Sequence, residues 1–319
     1  MTGSIGQYAA RKAGGVLVTL LGASLLIYGA LYLAPGDPAT LLAGGQIPNP
    51  EALEQIRAEH HLGDPFLVQY WHWLGGVLTG NFGNSIVLNE PVVSLLGSRV
   101  VNSVLLVVMA SAIILSIGIA LGVASAVFGK LVDFAALSTT TVLMAAPAFV
   151  SAIVLIWIFS SKLSWFPVYG TGEGFWDTLR HLVLPAIALS LSYLAFISRI
   201  TRTDVRSELT RDHVDAARAR GVSTPKVLSR HVMRNVMPAI LSVSAITFAG
   251  LFAGTAVVEL AFGVPGLGSL LVQSAARQDV VVVQSVSLLL VAAFVLVNMG
   301  VDIINAMLDP RLLRGRVMT

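Results

Sequence analysis

Residues 212–238 read DHVDAARARGVSTPKVLSRHVMRNVMP, a polar and basic stretch between two segments that are apolar enough to cross a bilayer. Ala216 and Ala217 are strong helix formers with little side-chain bulk. Gly221 stands where a left-handed residue commonly ends a helix, and Pro225 suits the first position of the next one. The stretch therefore predicts two short helices that are joined by a turn and held at a membrane surface.

Capping residues support both helices. Asp212 can cap the first helix, and Asp215 is placed to complement the positive helix N-terminus. Ser223 or Thr224 can cap the second helix. The second helix is expected to present a basic face, which consists of Lys226, Arg230, His231 and Arg234.

The composition places the rest of the chain in a membrane. Of its 319 residues, 55% are hydrophobic and 12% are charged, and the mean hydropathy is +0.82. A hydrocarbon core about 30 Å thick requires roughly 20 helical residues, and backbone groups in lipid must bond within their own segment. Six uncharged runs meet this requirement, the fourth only just, and each predicts a spanning helix: 13–34, 100–129, 134–161, 182–198, 236–258 and 280–301.

Two features within these runs have structural consequences. The first run follows Arg11 and Lys12, as a signal peptide would, but it is long and lacks a small-x-small cleavage pattern, which predicts an uncleaved anchor. Pro147 lies inside the third run and Pro185 lies near the start of the fourth. Each proline is expected to bend its helix, because it removes a backbone hydrogen bond.

Lysine and arginine orient the chain, because they concentrate on the cytosolic side of membrane proteins. With a cytosolic N-terminus, 15 of the 20 basic residues fall on the cytosolic side. We therefore predict six spans with both termini in the cytosol. The same bias explains the net charge of +3 and the pI near 9.4, which gives no reason to expect nucleic-acid binding.

The outer side is predicted to carry two notable segments. Segment 35–99 should contain an amphipathic helix over 51–61 and an aromatic patch at Tyr70, Trp71 and Trp73. Such side chains favour the membrane interface, so the patch is either a belt on the membrane or the wall of a vestibule. Segment 259–279 mixes glycines with apolar residues, which predicts a re-entrant element.

Several residue types and motifs that serve catalysis or metal binding are missing from the sequence. Cysteine is absent, which excludes disulfides and thiolate metal sites. The nearest match to a phosphate-binding P-loop ends at Gly129-Lys130, but Ala124 replaces its first glycine and Leu131 replaces its hydroxyl residue. The chain is therefore not expected to hydrolyse ATP by itself.

Metal, hydrolase and ion-coupled functions are also disfavoured. His60-His61 and His72 form no tight metal motif and are interpreted as solvated loop residues. No nucleophile-elbow pattern of a serine hydrolase is present. Ion-coupled carriers usually place ionisable groups within their spans, whereas Glu259, Asp302 and Asp133 are predicted at span ends. The energy for any transport is therefore expected to come from another protein.

Three interpretations of residues 212–235 remain open. A basic helix beside the membrane can lie on anionic lipid. A DNA-binding helix–turn–helix has a similar sequence pattern, although the membrane spans on both sides would tie it to the membrane. A docking surface for a cytosolic partner best explains the Ala216-Ala217 pair, the glycine turn and the stiff return to the next span.

At these residues the chain resembles a known family. Asp215-Ala216-Ala217, followed after three residues by Gly221, is similar to the coupling motif of ABC importer permeases, with aspartate in place of glutamate. The long return over 230–235 resembles the dipeptide/oligopeptide branch. Six further segments resemble the B-type permease of that branch, in order along the chain: 33–38, 62–65, 81–85, 91–92, 258–268 and 308–311.

The resemblance implies an all-α integral membrane protein with six transmembrane helices and the type I ABC importer permease fold, in the cytoplasmic membrane of a prokaryote. It implies inward movement of di- or oligopeptides by alternating access. The implied partners are a second homologous permease in a heterodimer, two cytosolic ABC ATPases that hold ATP and Mg²⁺, and an extracytoplasmic substrate-binding protein. The chain itself is expected to hold no cofactor or metal and to be no enzyme.

The resemblance also assigns residues and domains. The ATPase-coupling residues are Asp212, Asp215, Ala216, Ala217, Arg218, Gly221, Arg230 and His231. An extracytoplasmic motif consists of Pro35, Gly36, Asp37 and Pro38. An outer gate is expected at Glu259, Pro265, Gly266, Leu267 and Gly268. The predicted division is an N-terminus with the first helix (1–34), an outer segment (35–99), a five-helix core (100–306) and a cytosolic tail (307–319).

Other cargoes and other classes remain as alternatives. Related permeases carry nickel chelates, glutathione or haem. A channel, a secondary carrier, or a membrane scaffold without ATPase coupling would keep the same membrane fold.

Overall fold

The computed structural model describes residues 2–33, 37–42, 49–59 and 61–308, and these residues are helical apart from turns and one isolated bridge between Asn84 and Pro91. The C-terminal tail from residue 309 lies outside the described residues, as does most of the predicted terminal segment 308–311. The described helices are α1 Thr2–Leu33, α2 Pro38–Leu42, α3 Pro50–Glu59, α4 Phe66–Leu78, α5 Val92–Val127, α6 Lys130–Ala145, α7 Ala148–Lys162, α8 Phe175–Leu209, α9 Asp212–Ala219, α10 Thr224–Phe248, α11 Gly250–Ala261, α12 Leu267–Ala276 and α13 Val280–Leu308.

Four of these helices are long and apolar enough to cross a membrane without a break: α1, α5, α8 and α13. Two further apolar segments are bent pairs, since α6 and α7 meet at 104° and α10 and α11 meet at 46°. Counting each bent pair as one span gives the six spans that the uncharged runs predict.

Pro147 causes the sharper bend. Helix α6 ends at Ala145, Ala146 adopts an extended conformation with ψ near 118°, and α7 begins directly after the proline. A residue before proline avoids the helical region, so the break falls where steric contact with the proline ring dictates it. The predicted bend at Pro147 is confirmed, whereas α8 continues through Pro185 from residue 175 to residue 209.

Helix α8 is the central element of the bundle. In its most apolar window 61% of the residues are buried, against 17% for α1 at the periphery. Helix α5 approaches α8 closely at Gly122, where an added Cβ would lie 2.5 Å from the carbonyl oxygen of Ser198 and 2.6 Å from Cβ of Thr201. Small residues let membrane helices pack at short range, and Gly122 serves this purpose here.

The outer segment packs on α1. The amphipathic helix expected over 51–61 is present as α3, and the aromatic patch belongs to α4. Tyr70 and Trp73 lie with their ring centroids 6.0 Å and 5.3 Å from that of Tyr28 on α1, and the Ser24 and Tyr70 hydroxyls are 2.8 Å apart. Only Trp71 is well exposed, at 58%. The patch therefore fastens α4 to the first span, and the belt and vestibule interpretations apply only to Trp71.

Candidate functional site

The turn after α9 has the conformation that its glycine predicts. Gly221 has φ +76°, its N–H donates to the Arg218 carbonyl at 2.9 Å, and the Val222 N–H donates to the Ala217 carbonyl at 3.2 Å. These two bonds form a Schellman motif, which satisfies carbonyls that the helix end would leave unpaired. A left-handed glycine therefore fixes the direction in which the chain leaves α9.

The predicted helix starts need two corrections. Asp212 is not the N-cap of α9, because Arg211 occupies that position and Asp212 is the first helical residue. Ser223 is the N-cap of α10, so Pro225 is its second residue and not its first. Asp215 lies in the first turn of α9 as expected, near the positive end of the helix dipole. A sequence pattern predicts the ends of a helix only to within one or two residues.

Helix α9 lies against its own bundle through one face. Val214 is fully buried and Ala217 is 7% exposed, and both belong to the main hydrophobic core together with Val205, Val227 and Val232. The expectation that Ala217 offers a small surface to a partner is therefore wrong. Its small side chain instead lets α9 pack closely on the permease bundle.

The opposite face of α9 is open to the cytosolic side of the predicted topology. Ala216 and Ala219 are exposed there, flanked by charged residues that include Asp212, Asp215 and Arg218. On α10 the exposed basic residues are Lys226, Arg230 and Arg234, whereas His231 is half-buried. We call the exposed residues Asp212, Asp215, Ala216, Arg218, Ala219, Lys226 and Arg230 the coupling surface.

Glu208 connects helices α8, α9 and α10 beside the coupling surface. Its Oε1 accepts a hydrogen bond of 2.6 Å from Asn235 Nδ2 and lies 3.3 Å from His213 Nε2, and its Oε2 lies 3.8 Å from Arg211. The Glu208 side chain is only 14% exposed. The end of α8, the start of α9 and the middle of α10 are thus tied together. Sequence reasoning missed Glu208, since nothing local marks it.

A second carboxylate braces α8 above the coupling surface. Asp133 of α6 accepts hydrogen bonds from Arg202 at 2.5 Å and 2.8 Å, from Arg206 at 2.9 Å and from Ser125 Oγ at 2.6 Å. Its side chain is 14% exposed. Hydrogen bonds to a charged group are stronger than neutral ones, and a bidentate arginine adds a fixed geometry. Asp133 therefore ties α5, α6 and α8 together at the predicted cytosolic end.

At the opposite end of the bundle Glu259 is fully buried, although the sequence places it only at a span end. Ser103 Oγ donates to Glu259 Oε1 at 2.6 Å, and the Ser269 N–H donates to Glu259 Oε2 at 2.7 Å. Ser103 also accepts the Leu267 N–H at 2.8 Å. The carboxylate therefore joins α11 to α5 and to the first turn of α12, where a negative charge is favourable.

The remaining predicted gate residues surround this carboxylate. The Pro265 carbonyl accepts from Asn102 Nδ2 at 2.8 Å, and an added Cβ on Gly266 would lie 2.2 Å from Glu259 Cδ. An added Cβ on Gly268 would lie 2.6 Å from Ala256 Cα. Helix α12 has ten residues, about 15 Å, and is too short to cross the bilayer. We call residues 259–276 the outer hairpin.

The expected extracytoplasmic motif is only partly described. Pro35 and Gly36 lie outside the described residues, and Pro38 begins α2. The Asp37 carboxylate accepts a hydrogen bond of 3.1 Å from Arg57 of α3, and both side chains are well exposed. An exposed pair of this kind contributes about 1 kcal/mol or less, so it orients α2 and α3 without fixing them strongly.

Both halves of the chain match known family models. Residues 118–314 match the model described as "Binding-protein-dependent transport system inner membrane component". Residues 5–93 match the model of the N-terminal part of such membrane components. The chain belongs to this family. It is therefore a multi-pass component of a prokaryotic inner membrane, and its helices bear out the all-α permease fold.

Curated relatives match this permease over nearly their whole length. One from Sinorhizobium fredii, named "Probable peptide ABC transporter permease protein", is 35% identical and covers 97% of this chain and 99% of the relative. A glutathione transport system permease protein of Salmonella typhimurium is 33% identical, with 95% and 98% covered. Among solved structures, the methionine ABC transporter MetNI in inward-facing conformations is similar in fold, with a TM-score of 0.53 and 18% identity, over 67% of this chain and 96% of that one.

Proposed function

We propose that this ABC importer permease moves di- or oligopeptides inward by alternating access. The observation that carries the proposal is the full-length similarity to a permease named for peptide transport, at 35% identity. The similarity to a glutathione permease, at 33%, favours glutathione as the second candidate cargo.

ATPase subunits that bind the coupling surface would supply the energy. Helix α9 is held rigidly between its buried face and the Gly221 turn, so a push on Ala216 and its neighbours is transmitted to α8 and α10. Helix α8 has 35 residues, about 52 Å, and so extends beyond a hydrocarbon core of about 30 Å. It provides a stiff connection from the coupling surface to the centre of the bundle.

The complete transporter would contain three further kinds of protein. A second homologous permease would complete the pathway as a heterodimer, and two ABC ATPases would hold ATP and Mg²⁺. A substrate-binding protein would deliver the peptide on the outer side, where the outer hairpin lies. The excess of basic residues on the side of the coupling surface supports a topology with both termini in the cytosol, and it also suits contact with anionic lipid.

A channel or secondary carrier is the rival class. Within the described spans the fully buried carboxylate, Glu259, is occupied by hydrogen bonds from Ser103 and Ser269. Such an arrangement favours a structural role over proton or ion relay, which requires a group that changes partners. A carrier that works without an ATPase would also have no partner for the coupling surface.

Reconstitution in liposomes tests the proposal. We expect the complete complex with binding protein to take up a labelled oligopeptide only when ATP is present. This subunit alone should take up none, because it lacks both an ATPase and the second half of the pathway. A complex whose ATPases bind but do not hydrolyse ATP is the matched control.

Two results would contradict the proposal. Uptake by the isolated subunit would identify a channel or carrier. Failure of peptides to compete in the complete complex, together with uptake of glutathione, would exclude oligopeptide cargo and assign the second candidate.

A further inference from the structure

Three potential metal ligands meet in the outer segment, at the end of α3 and on α4. They are His61, Asp64 and His72, and one ligand atom of each lies within 4.8 Å of the others. The His61 and His72 rings are inclined at 71° to each other with centroids 4.5 Å apart, and His61 Nδ1 lies 3.4 Å from Asp64 Oδ2. All three side chains are exposed and can therefore be reached from solution.

These distances suit a tetrahedral ion. Ligand atoms that lie about 2.1 Å from a tetrahedral zinc ion are separated from one another by about 3.4 Å. The separation of His61 Nδ1 and Asp64 Oδ2 equals that value. The ligand atom of His72 lies within 4.8 Å of both, so binding of the ion would draw the exposed His72 ring closer. Two imidazoles and one carboxylate favour zinc and similar divalent transition-metal ions over calcium or magnesium, which prefer oxygen ligands.

We propose that His61, Asp64 and His72 form a binding site for a divalent transition-metal ion of the zinc class. The ion would fasten the turn after α3 to helix α4 and keep an open position for water or an external ligand. The proposal is independent of the cargo, and it revises the interpretation of these histidines as solvated loop residues. His60 lies outside the described residues.

Hydrogen bonds hold the turn that contains His61 in one conformation. His61 has φ +52°, the left-handed region in which glycine is usual and other residues cost about 1–2 kcal/mol. Its carbonyl accepts the Asp64 N–H at 2.9 Å, and Gln69 Nε2 donates to the Asp64 carbonyl at 2.7 Å. The backbones of two ligands are thus fixed relative to α4. A histidine kept in a position that favours glycine is consistent with a use for its side chain.

A cavity of about 330 Å³ lies behind the two imidazoles and provides space for the remaining ligands of the ion. His61 and His72 line it together with Gln69 and Gln284. Gln284 is only 6% exposed, and its Nε2 has no hydrogen-bond partner among the described residues. A roomy cavity with unpaired polar atoms holds water, which is the usual fourth ligand of zinc at an open site.

Metal binding to the purified full-length protein tests the site. The protein is purified in detergent with a tag free of histidine, stripped with chelator, and dialysed against Zn²⁺ or Ca²⁺. We expect one equivalent of Zn²⁺, no retained Ca²⁺, and a higher Tm with Zn²⁺, because a ligand that binds only the folded state stabilises it. Co²⁺ in place of Zn²⁺ should give the visible absorption of a tetrahedral site.

The variants His61→Asn and His72→Gln should each lose the bound equivalent, the Co²⁺ spectrum and the Zn²⁺-dependent rise in Tm. Asparagine tolerates the left-handed backbone of residue 61, so His61→Asn keeps the turn. The matched control is His213→Asn, which removes an exposed histidine elsewhere and should bind as the wild type does. Unchanged Zn²⁺ binding in both ligand variants, or no binding by a wild-type protein that melts cooperatively, would overturn the proposal.

Discussion

Replacing Ala216 with tryptophan is expected to abolish cargo-stimulated ATP hydrolysis in the assembled transporter. Ala216 is exposed on the coupling surface, whereas its neighbour Ala217 is buried. An indole at position 216 therefore points away from the permease core and keeps a partner from the backbone of α9. The expected loss is about tenfold or more, which corresponds to about 1.4 kcal/mol or more of lost coupling. ATPase activity with and without loaded binding protein measures it.

Two matched variants separate coupling from folding. Ala216→Ser keeps the side chain small and should retain stimulation. Ala217→Trp should instead reduce the amount of assembled permease, because a large side chain in a packed core costs about 1–3 kcal/mol or more. Normal stimulation in Ala216→Trp would show that no ATPase contacts this face of α9.

Gly266→Ala is expected to destabilise the outer hairpin and to impair transport. The backbone at residue 266 has φ −123°, which alanine adopts freely, so the cost comes from the side chain alone. An added Cβ would lie 2.2 Å from Glu259 Cδ, and the carboxylate cannot move without losing its bonds to Ser103 and Ser269. We expect about 1–3 kcal/mol of lost stability, seen as a lower Tm in detergent.

A double-mutant cycle identifies the cause. Glu259→Ala removes the collision but leaves the Ser269 N–H unpaired, which costs about 1–3 kcal/mol by itself. The pair of changes should therefore cost clearly less than the sum of the single changes. Gly300→Ala is the control, since an added Cβ there meets no atom within 4 Å. Additive losses, or a Tm in Gly266→Ala equal to that of Gly300→Ala, would contradict the proposed collision.

The sequence predicted the parts of this fold that depend on local chemistry. Uncharged runs located the spans, because the bilayer core does not solvate charged side chains and every backbone group within it must form a hydrogen bond inside the protein. Gly221 predicted the left-handed end of α9, and Pro147 predicted the break between α6 and α7. Each of these outcomes follows from residues that are consecutive along the chain.

Contacts between distant residues could not be predicted in this way. Glu259 finds its partner Ser103 156 positions away, and Lys12 on α1 pairs with Asp302 on α13 across 290 positions. His61, Asp64 and His72 come together only because a turn folds the end of α3 onto α4. The buried face of α9 was missed as well, although Val214, three residues before Ala217 and so on the same side of the helix, marks that face as the apolar one.

Two carboxylates that are each only 14% exposed, Asp133 and Glu208, hold together the helices around the coupling surface. Asp133 holds Arg202 and Arg206, and Glu208 holds Asn235 at 2.6 Å. A partner can shift a conformational equilibrium only through different affinities for its two states, so the contact that it makes must not yield locally. We therefore expect Asp133 and Glu208 to keep the coupling surface rigid when a partner binds.

Site-specific crosslinking tests the central claim most directly, because the chain contains no cysteine and a single introduced thiol is unambiguous. A photoreactive maleimide is attached to Ala216→Cys in the purified permease before the ATPase subunits are added, with Glu54→Cys on the outer helix α3 as the control. We predict an adduct between this permease and an ATPase subunit from position 216 and none from position 54. Efficient labelling at position 216 without any ATPase adduct would contradict the assignment of α9 as the point where the energy of ATP enters.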